Sequence, residues 1–235
     1  MRFEELTNEV LGAIEFHDEL NPLLWQDNRL KPDVSNKLLK IAKFFMNFLD
    51  IPDLNFTHIT ISGSNAAYTY TNKSDIDLHI LVDVPKEQQT FMRNFFDAKK
   101  TVFNNQHDIT IKGHPVELYV QFTDQPHVSA GIYNLIDKEW IAEPKKQKAD
   151  INDVDVRSKA VAYINAIEDV FARKDIDAAS KLWDKIKEDR KNGLEKAGEL
   201  GTENLVFKVL RNAGFIGILQ KFKQVYADRD LSLGQ

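Results

Sequence analysis

Residues 75–82 read Asp-Ile-Asp-Leu-His-Ile-Leu-Val. Ile76, Leu78, Ile80 and Val82 fall on one side of an extended chain, and Asp75, Asp77 and His79 on the other. A strand of this kind has one face to bury and one that stays near water. It calls for a sheet covered by helices on its apolar face, with a polar face left partly open to a substrate. Residues 57–62 alternate in the same way around Ile59 and Ile61. In residues 115–122, Val116, Leu118, Val120 and Phe122 oppose Glu117, Tyr119 and Gln121. Residues 107–112 form a further expected strand, joined to 115–122 by a hairpin through Lys112-Gly113-His114.

The flanking segments carry helical periodicity. Residues 3–19 are expected to be a helix, with Phe3, Leu6, Val10, Ile14 and His17 on one stripe and Asn21-Pro22 after it. Pro32-Asp33 suits the start of a second helix, which Asp50-Ile51-Pro52-Asp53 ends. Residues 86–104 read as a third, through Phe91, Met92, Phe95, Phe96 and Val102. After Glu143-Pro144 the pattern is wholly helical. One helix carries Val156 to Phe171, the next Ile176 to Ile186, and a last one Leu205 to Tyr226. The expected fold class is α+β: a mixed sheet flanked by helices over residues 1–148, then an all-helical C-terminal subdomain over 149–235. Trp25, Trp140 and Trp183 are expected in the core or between domains.

The chemistry concentrates where Ile61-Ser62 leads into Gly63-Ser64, ten residues intervene, and Asp75-Ile76-Asp77 begins the next strand. Aspartates two apart on a strand share a face, roughly 6.5–7 Å apart along the backbone. Adjacent carboxylates repel unless a cation relieves them. Two divalent ions between such groups are the arrangement that supports in-line displacement at phosphorus. Oxygen ligands favour Mg²⁺ or Mn²⁺. Gly63-Ser64 suits phosphate: the glycine permits close approach, the Ser64 hydroxyl can add a bond, and a following helix would aim N–H groups at the anion. Glu117 becomes a third carboxylate if its strand neighbours 75–82.

This pattern resembles the DNA-polymerase-β-like nucleotidyltransferase superfamily: Gly63-Ser64, then Asp75-Ile76-Asp77, then Val116-Glu117-Leu118. The motif covers roughly residues 57–122. Across nearly the whole chain the sequence also looks like nucleotidyltransferases of tailed bacteriophages, through Leu20-Asn21-Pro22-Leu23-Leu24-Trp25, Ser74-Asp75-Ile76-Asp77-Leu78-His79, the stretch from Gly131-Ile132-Tyr133 to Trp140, and Glu203-Asn204-Leu205-Val206-Phe207-Lys208. The resemblance implies a helical C-terminal part closing over the nucleotide. It also implies that Asp75 and Asp77 hold both metal ions, and that Glu117 holds the catalytic one and helps to activate the acceptor hydroxyl. One departure stands out. Several branches place a basic residue directly after Gly-Ser, whereas Asn65-Ala66-Ala67 follows here. Triphosphate charge then falls to metal, backbone N–H groups or lysines from elsewhere. Lys73 is the nearest, with an exposed loop lysine as the alternative.

His79 either touches substrate or makes a structural hydrogen bond. Tyr119 and Gln121 either contact base or acceptor or simply line the sheet. Tyr68 and Tyr70 either stack on a base or pack on the sheet. The function expected is transfer of a nucleoside monophosphate from an NTP to an acceptor hydroxyl, with release of pyrophosphate. The acceptor is open among a small molecule, an RNA end, a protein side chain or another nucleotide. The alternative is a catalytically silent nucleotide-binding or sensor module on the same fold. A net charge of −5, and 15 Lys/Arg against 14 Asp/Glu over residues 151–235, argue against bulk electrostatic binding of a long nucleic acid. The absence of cysteine excludes disulfides and cysteine-type zinc sites. Residues 1–5 are polar and acidic rather than signal-like, and no apolar run approaches the roughly 20 residues of a membrane span. The expected location is cytoplasmic, in the host cytoplasm if the chain is phage-encoded.

Overall fold

A computed structural model describes residues 15–127, 129–146 and 154–233. They fall into two compact units, one within Glu15–Gln147 and one within Lys148–Gln235. The first unit contains β1 (Trp25–Gln26), β2 (Arg29–Leu30), α1 (Pro32–Leu49), β3 (Asn55–Ser62), β4 (Ile76–Asp83), α2 (Lys86–Gln106), β5 (Thr110–Ile111), β6 (His114–Phe122), β7 (Ile132–Asn134) and β8 (Glu139–Ala142). The second contains α3 (Val154–Arg173), α4 (Ile176–Ala197), α5 (Thr202–Asn212) and α6 (Phe215–Leu231). No helix among the described residues is long and apolar enough to cross a membrane.

Six strands form a mixed sheet in the order β5-β6-β4-β3-β7-β8. β4 and β6 are parallel and α2 makes the crossover between them, while every other pair in the sheet is antiparallel. The inward residues of β3, β4 and β6 (Ile59, Ile61, Ile76, Leu78, Ile80, Val82, Val116, Leu118 and Phe122) join one apolar core with Phe45 and Leu38 of α1 and Phe96 and Phe103 of α2. α1 starts with Pro32 at its first position and Asp33 in its first turn, and it ends at Asp50 in the left-handed conformation (φ 53°). Six of its apolar side chains (Val34, Leu38, Ile41, Ala42, Phe45 and Leu49) are buried, and burial of each larger one contributes about 1.5–3 kcal/mol.

Two tight turns carry the hairpins. Lys112 (φ 51°) and Gly113 (φ 87°) join β5 to β6, and Asp27 (φ 50°) and Asn28 (φ 62°) join β1 to β2. Positive φ at both central positions matches the twist of the strands they connect. The strand expected over 107–112 shrinks to two residues. α2 runs on to Gln106 and takes His107 as its C-cap, whose N–H donates to Phe103 O at 3.0 Å.

Most of the helix expected over 3–19 lies outside the described residues. Residues 15–19 are irregular rather than helical. There the His17 N–H donates to Tyr68 O at 2.8 Å, its Nε2 donates to Tyr70 O at 2.9 Å, and its ring stacks on Tyr70 at 3.9 Å. Tyr70 is therefore occupied in holding this segment. Trp25 is buried, stacked on Trp140 at 4.8 Å, and Trp140 Nε1 donates to Asn28 O at 2.9 Å.

In the helical unit, Asp175 caps α4 by accepting from the Ala178 N–H at 2.9 Å. The single helix expected through 205–226 is instead two. Gly214 adopts φ 82°, outside helical space, and α6 starts afresh at Phe215. Trp183 is half-buried with Lys187 over its ring at 5.5 Å. A cavity of about 520 Å³, lined by residues of α3, α4 and α5 that include Tyr163, Ile186 and Phe207, lies wholly within this unit.

Candidate active site

The polar face of the sheet is ordered by register. Ser62 of β3 pairs with Asp77 of β4, which pairs with Glu117 of β6. The next row is Thr60, His79 and Tyr119. Asp75 stands immediately before β4. Asp75, Asp77 and Glu117 are half-buried, and each offers a carboxylate oxygen within 4.8 Å of the others. An all-oxygen cluster of three carboxylates of this kind fits a hard divalent cation.

Gly63 follows directly from β3, with φ 75° and ψ −165°. A Cβ at this position would lie 1.8 Å from Asp77 Oδ2, so the carboxylate sits where any other residue's side chain would begin. The Gly63 N–H donates to Ser129 Oγ at 3.2 Å. The helix expected after Gly63-Ser64 is only one 3₁₀ turn, Ser64–Ala66. Ser64 Oγ donates to Ser74 Oγ at 2.8 Å, which ties the turn to residues 71–74. Lys73 is exposed in that connection, its backbone N–H donating to Thr71 Oγ1 at 3.2 Å.

Asn65, directly after Gly63-Ser64, is fully buried. Its Nδ2 donates to Asp75 O at 2.9 Å and to Ser74 O at 3.1 Å, and its Oδ1 accepts from Asn21 Nδ2 at 2.9 Å. Its backbone carbonyl accepts from Trp25 Nε1 at 2.7 Å. His114 completes the hub: Nδ1 donates to Ser74 O at 2.7 Å, and Nε2 accepts from Asn21 Nδ2 at 3.0 Å. A carbonyl can only accept, so the proton sits on Nδ1. This buried network fixes the turn after β3 to the backbone that carries Asp75. Sequence reasoning misses it. The one signal available is the polar Asn65 set among small apolar residues.

Tyr119 turns its hydroxyl onto Glu117 and donates to Oε2. Its ring stacks on His79 at 4.9 Å and 16°, and Lys100 Nζ of α2 lies 4.0 Å from its centroid. Burial, with the nearby Asp77 and Glu117 charges, pushes the Tyr119 phenol well above its ordinary pKa, so it remains a donor. Burial, with the neighbouring His127 and Lys100, holds His79 down to about 3, so its imidazole is neutral near pH 7. His127 sits 4.4 Å from His79, and its Nε2 is 3.2 Å from Ser62 Oγ. Gln121 Nε2 donates to Gln125 O at 3.5 Å, at the far end of the same face.

No family model matches the chain, and no curated protein matches it. Among solved structures it is similar to a STING-associated c-di-GMP synthase, CdnE, from Capnocytophaga granulosa. That likeness spans 95% of this chain and 98% of the other, at 14% identity and a TM-score of 0.25.

Proposed function

We propose that this chain is a divalent-metal-dependent nucleotidyltransferase, moving a nucleoside monophosphate from an NTP to an acceptor hydroxyl. The observation that supports this most is the convergence of Asp75, Asp77 and Glu117 on the polar face of the sheet, with Gly63 against Asp77. The spacing from Gly63-Ser64 to the aspartates, and the resemblance to the polymerase-β-like superfamily and its phage members, support the same reading.

The acceptor hydroxyl gives up its proton to solvent as its oxygen forms a bond to the α-phosphorus. The bond from that phosphorus to the bridging oxygen breaks, and pyrophosphate leaves. Bound Mg²⁺ or Mn²⁺ would lower the pKa of the attacking hydroxyl and neutralise charge on the phosphates. Asp75, Asp77 and Glu117 would hold the cations. The Gly63-Ser64 turn lets the triphosphate approach the backbone without meeting a side chain. Exclusion of bulky side chains at Gly63 also keeps the Asp77 carboxylate in place.

The test incubates the protein with each α-³²P-labelled NTP, Mg²⁺ or Mn²⁺, and total cellular RNA, beside the Asp75→Ala/Asp77→Ala variant. Label moved to RNA, to protein or into a small product, and lost in the variant, is the expected result. It also names the base and the acceptor class. Metal-dependent nucleotide binding with no transfer from any NTP would instead favour a silent sensor module.

A further inference from the structure

We infer that Tyr119 is a positioning residue that makes Glu117 a one-oxygen metal ligand; the inference rests on the metal-site reading above. A glutamate side chain has several rotamers and two equivalent oxygens. In Glu117 the two oxygens differ. The Tyr119 hydroxyl donates to Oε2, two residues along the same strand and on the same face. Oε2 carries this bond, and Oε1 keeps both of its lone pairs for a cation.

The ring that delivers this bond is itself held. His79 stacks on it from the neighbouring strand, with planes 16° apart, and the Lys100 ammonium lies 4.0 Å from its centroid. Register explains the fit. His79 pairs with Tyr119 one step along from the Asp77–Glu117 pair, so the stack underlies the carboxylates on the same face. A donor fixed in this way orients a metal ligand before the ion arrives. Partners of this type are worth about 10–100-fold in metal affinity. The arrangement also assigns Tyr119 away from base recognition, because its hydroxyl is committed to Glu117.

The experiment titrates full-length protein with Mn²⁺ and follows free ion by electron paramagnetic resonance, without nucleotide. Wild type, Tyr119→Phe, Glu117→Gln, Asp77→Asn and the Glu117→Gln/Tyr119→Phe double variant are compared. Thermal melts in EDTA establish that each is folded. Tyr119→Phe keeps the ring and its stack and removes only the hydroxyl. Its Mn²⁺ affinity is expected to fall about tenfold or more. In the Glu117→Gln background the same change should do nothing further, because Tyr119 acts through Glu117. A general packing role would weaken binding in both backgrounds.

Wild-type affinity in Tyr119→Phe, with binding lost in Asp77→Asn, would overturn this inference and leave the metal site standing. Equal losses from Tyr119→Phe in both backgrounds would also overturn it. Wild-type protein that binds no Mn²⁺, or binds it equally well as Asp77→Asn, would remove the metal-site reading and the inference with it. If Tyr119→Phe melts below the assay temperature, His79→Leu serves instead. It removes the stack but keeps the hydroxyl, and the inference then requires weaker Mn²⁺ binding that the Glu117→Gln background again abolishes.

Discussion

Substituting Gly63 by alanine separates two roles that the residue combines. The first is backbone conformation. At φ 75° and ψ −165° the residue occupies a region that is essentially closed to side chains, and alanine there costs about 1–3 kcal/mol. The second is space for Asp77. The new Cβ would start 1.8 Å from Asp77 Oδ2, whereas an ordinary carbon–oxygen contact is about 3.3 Å. The carboxylate must therefore retreat by about 1.5 Å, roughly three times the 0.5 Å tolerance of a preorganised site.

Gly113→Ala is the matching control. That glycine also has positive φ (87°), but nothing lies within 4 Å of the point where an alanine methyl group would stand. Strain without contact predicts a loss of about 1–2 kcal/mol in stability and unchanged metal binding. Gly63→Ala is expected to lose comparable stability and, in addition, most of its Mn²⁺ affinity. Denaturant melts in EDTA and Mn²⁺ titrations read the two effects independently. If Gly63→Ala binds Mn²⁺ as tightly as Gly113→Ala, the geometric argument that couples Gly63 to the Asp77 ligand is wrong.

Four further outcomes are expected. Asn65→Ala removes the buried bonds to the Ser74 and Asp75 carbonyls and to Asn21, of which Ser74 O and Asn21 Nδ2 keep His114, and should cost about 1–3 kcal/mol by urea denaturation. Phe103→Ala empties a 1% exposed site packed against Phe45 and Phe48, and should cost about 3–5 kcal/mol in the same assay. Asp175→Ala removes the cap of α4, for a loss of about 1 kcal/mol in the helical unit by hydrogen exchange. Gly217→Ala, in open space within α6 and without positive φ, should raise stability by about 0.5–1 kcal/mol, and a loss there would show that α6 is packed against a neighbour at this position.

How much is legible in the sequence differs by kind of signal. The alternation of residues 75–82 and 115–122 and the periodicity of Pro32–Leu49 and Lys86–Gln106 survive because each spans several turns or pleats, so one face dominates. β7 and β8 have three and four residues, too few for a period to emerge, and sequence periodicity passes over them. The break at Gly214 is hidden because apolar residues on both sides keep a helical spacing, and spacing alone does not register a single left-handed residue. The Asp-x-Asp pair is readable as sharing a face. Its approach to Glu117 depends on which strands are neighbours, and strand order is not written in alternation; the α2 crossover that sets β6 beside β4 supplies it.

The least legible residue is Asn65, and it changes how charge at the site should be thought about. The sequence poses a question of compensation: with no basic residue after Gly63-Ser64, the proposed function needs another source of charge to meet a triphosphate. The structure shows why position 65 holds no cation. Its side chain is fully buried, it donates to two carbonyls, and it accepts from Asn21. A lysine there would bring an ammonium into a space whose donors and acceptors are already matched, and burying an unpaired charge costs several kcal/mol. The turn is therefore held by a neutral network. Lys100 lies over the Tyr119 ring, on the Glu117 side of the site rather than at Gly63. On the function proposed above, phosphate charge at the Gly63 end would be met mainly by the cation that the three carboxylates would hold. Such a site should depend on its metal for nucleotide binding as well as for chemistry. Nucleotide affinity should therefore fall steeply in EDTA, and nucleotide binding that is equally tight with and without Mg²⁺ would contradict it.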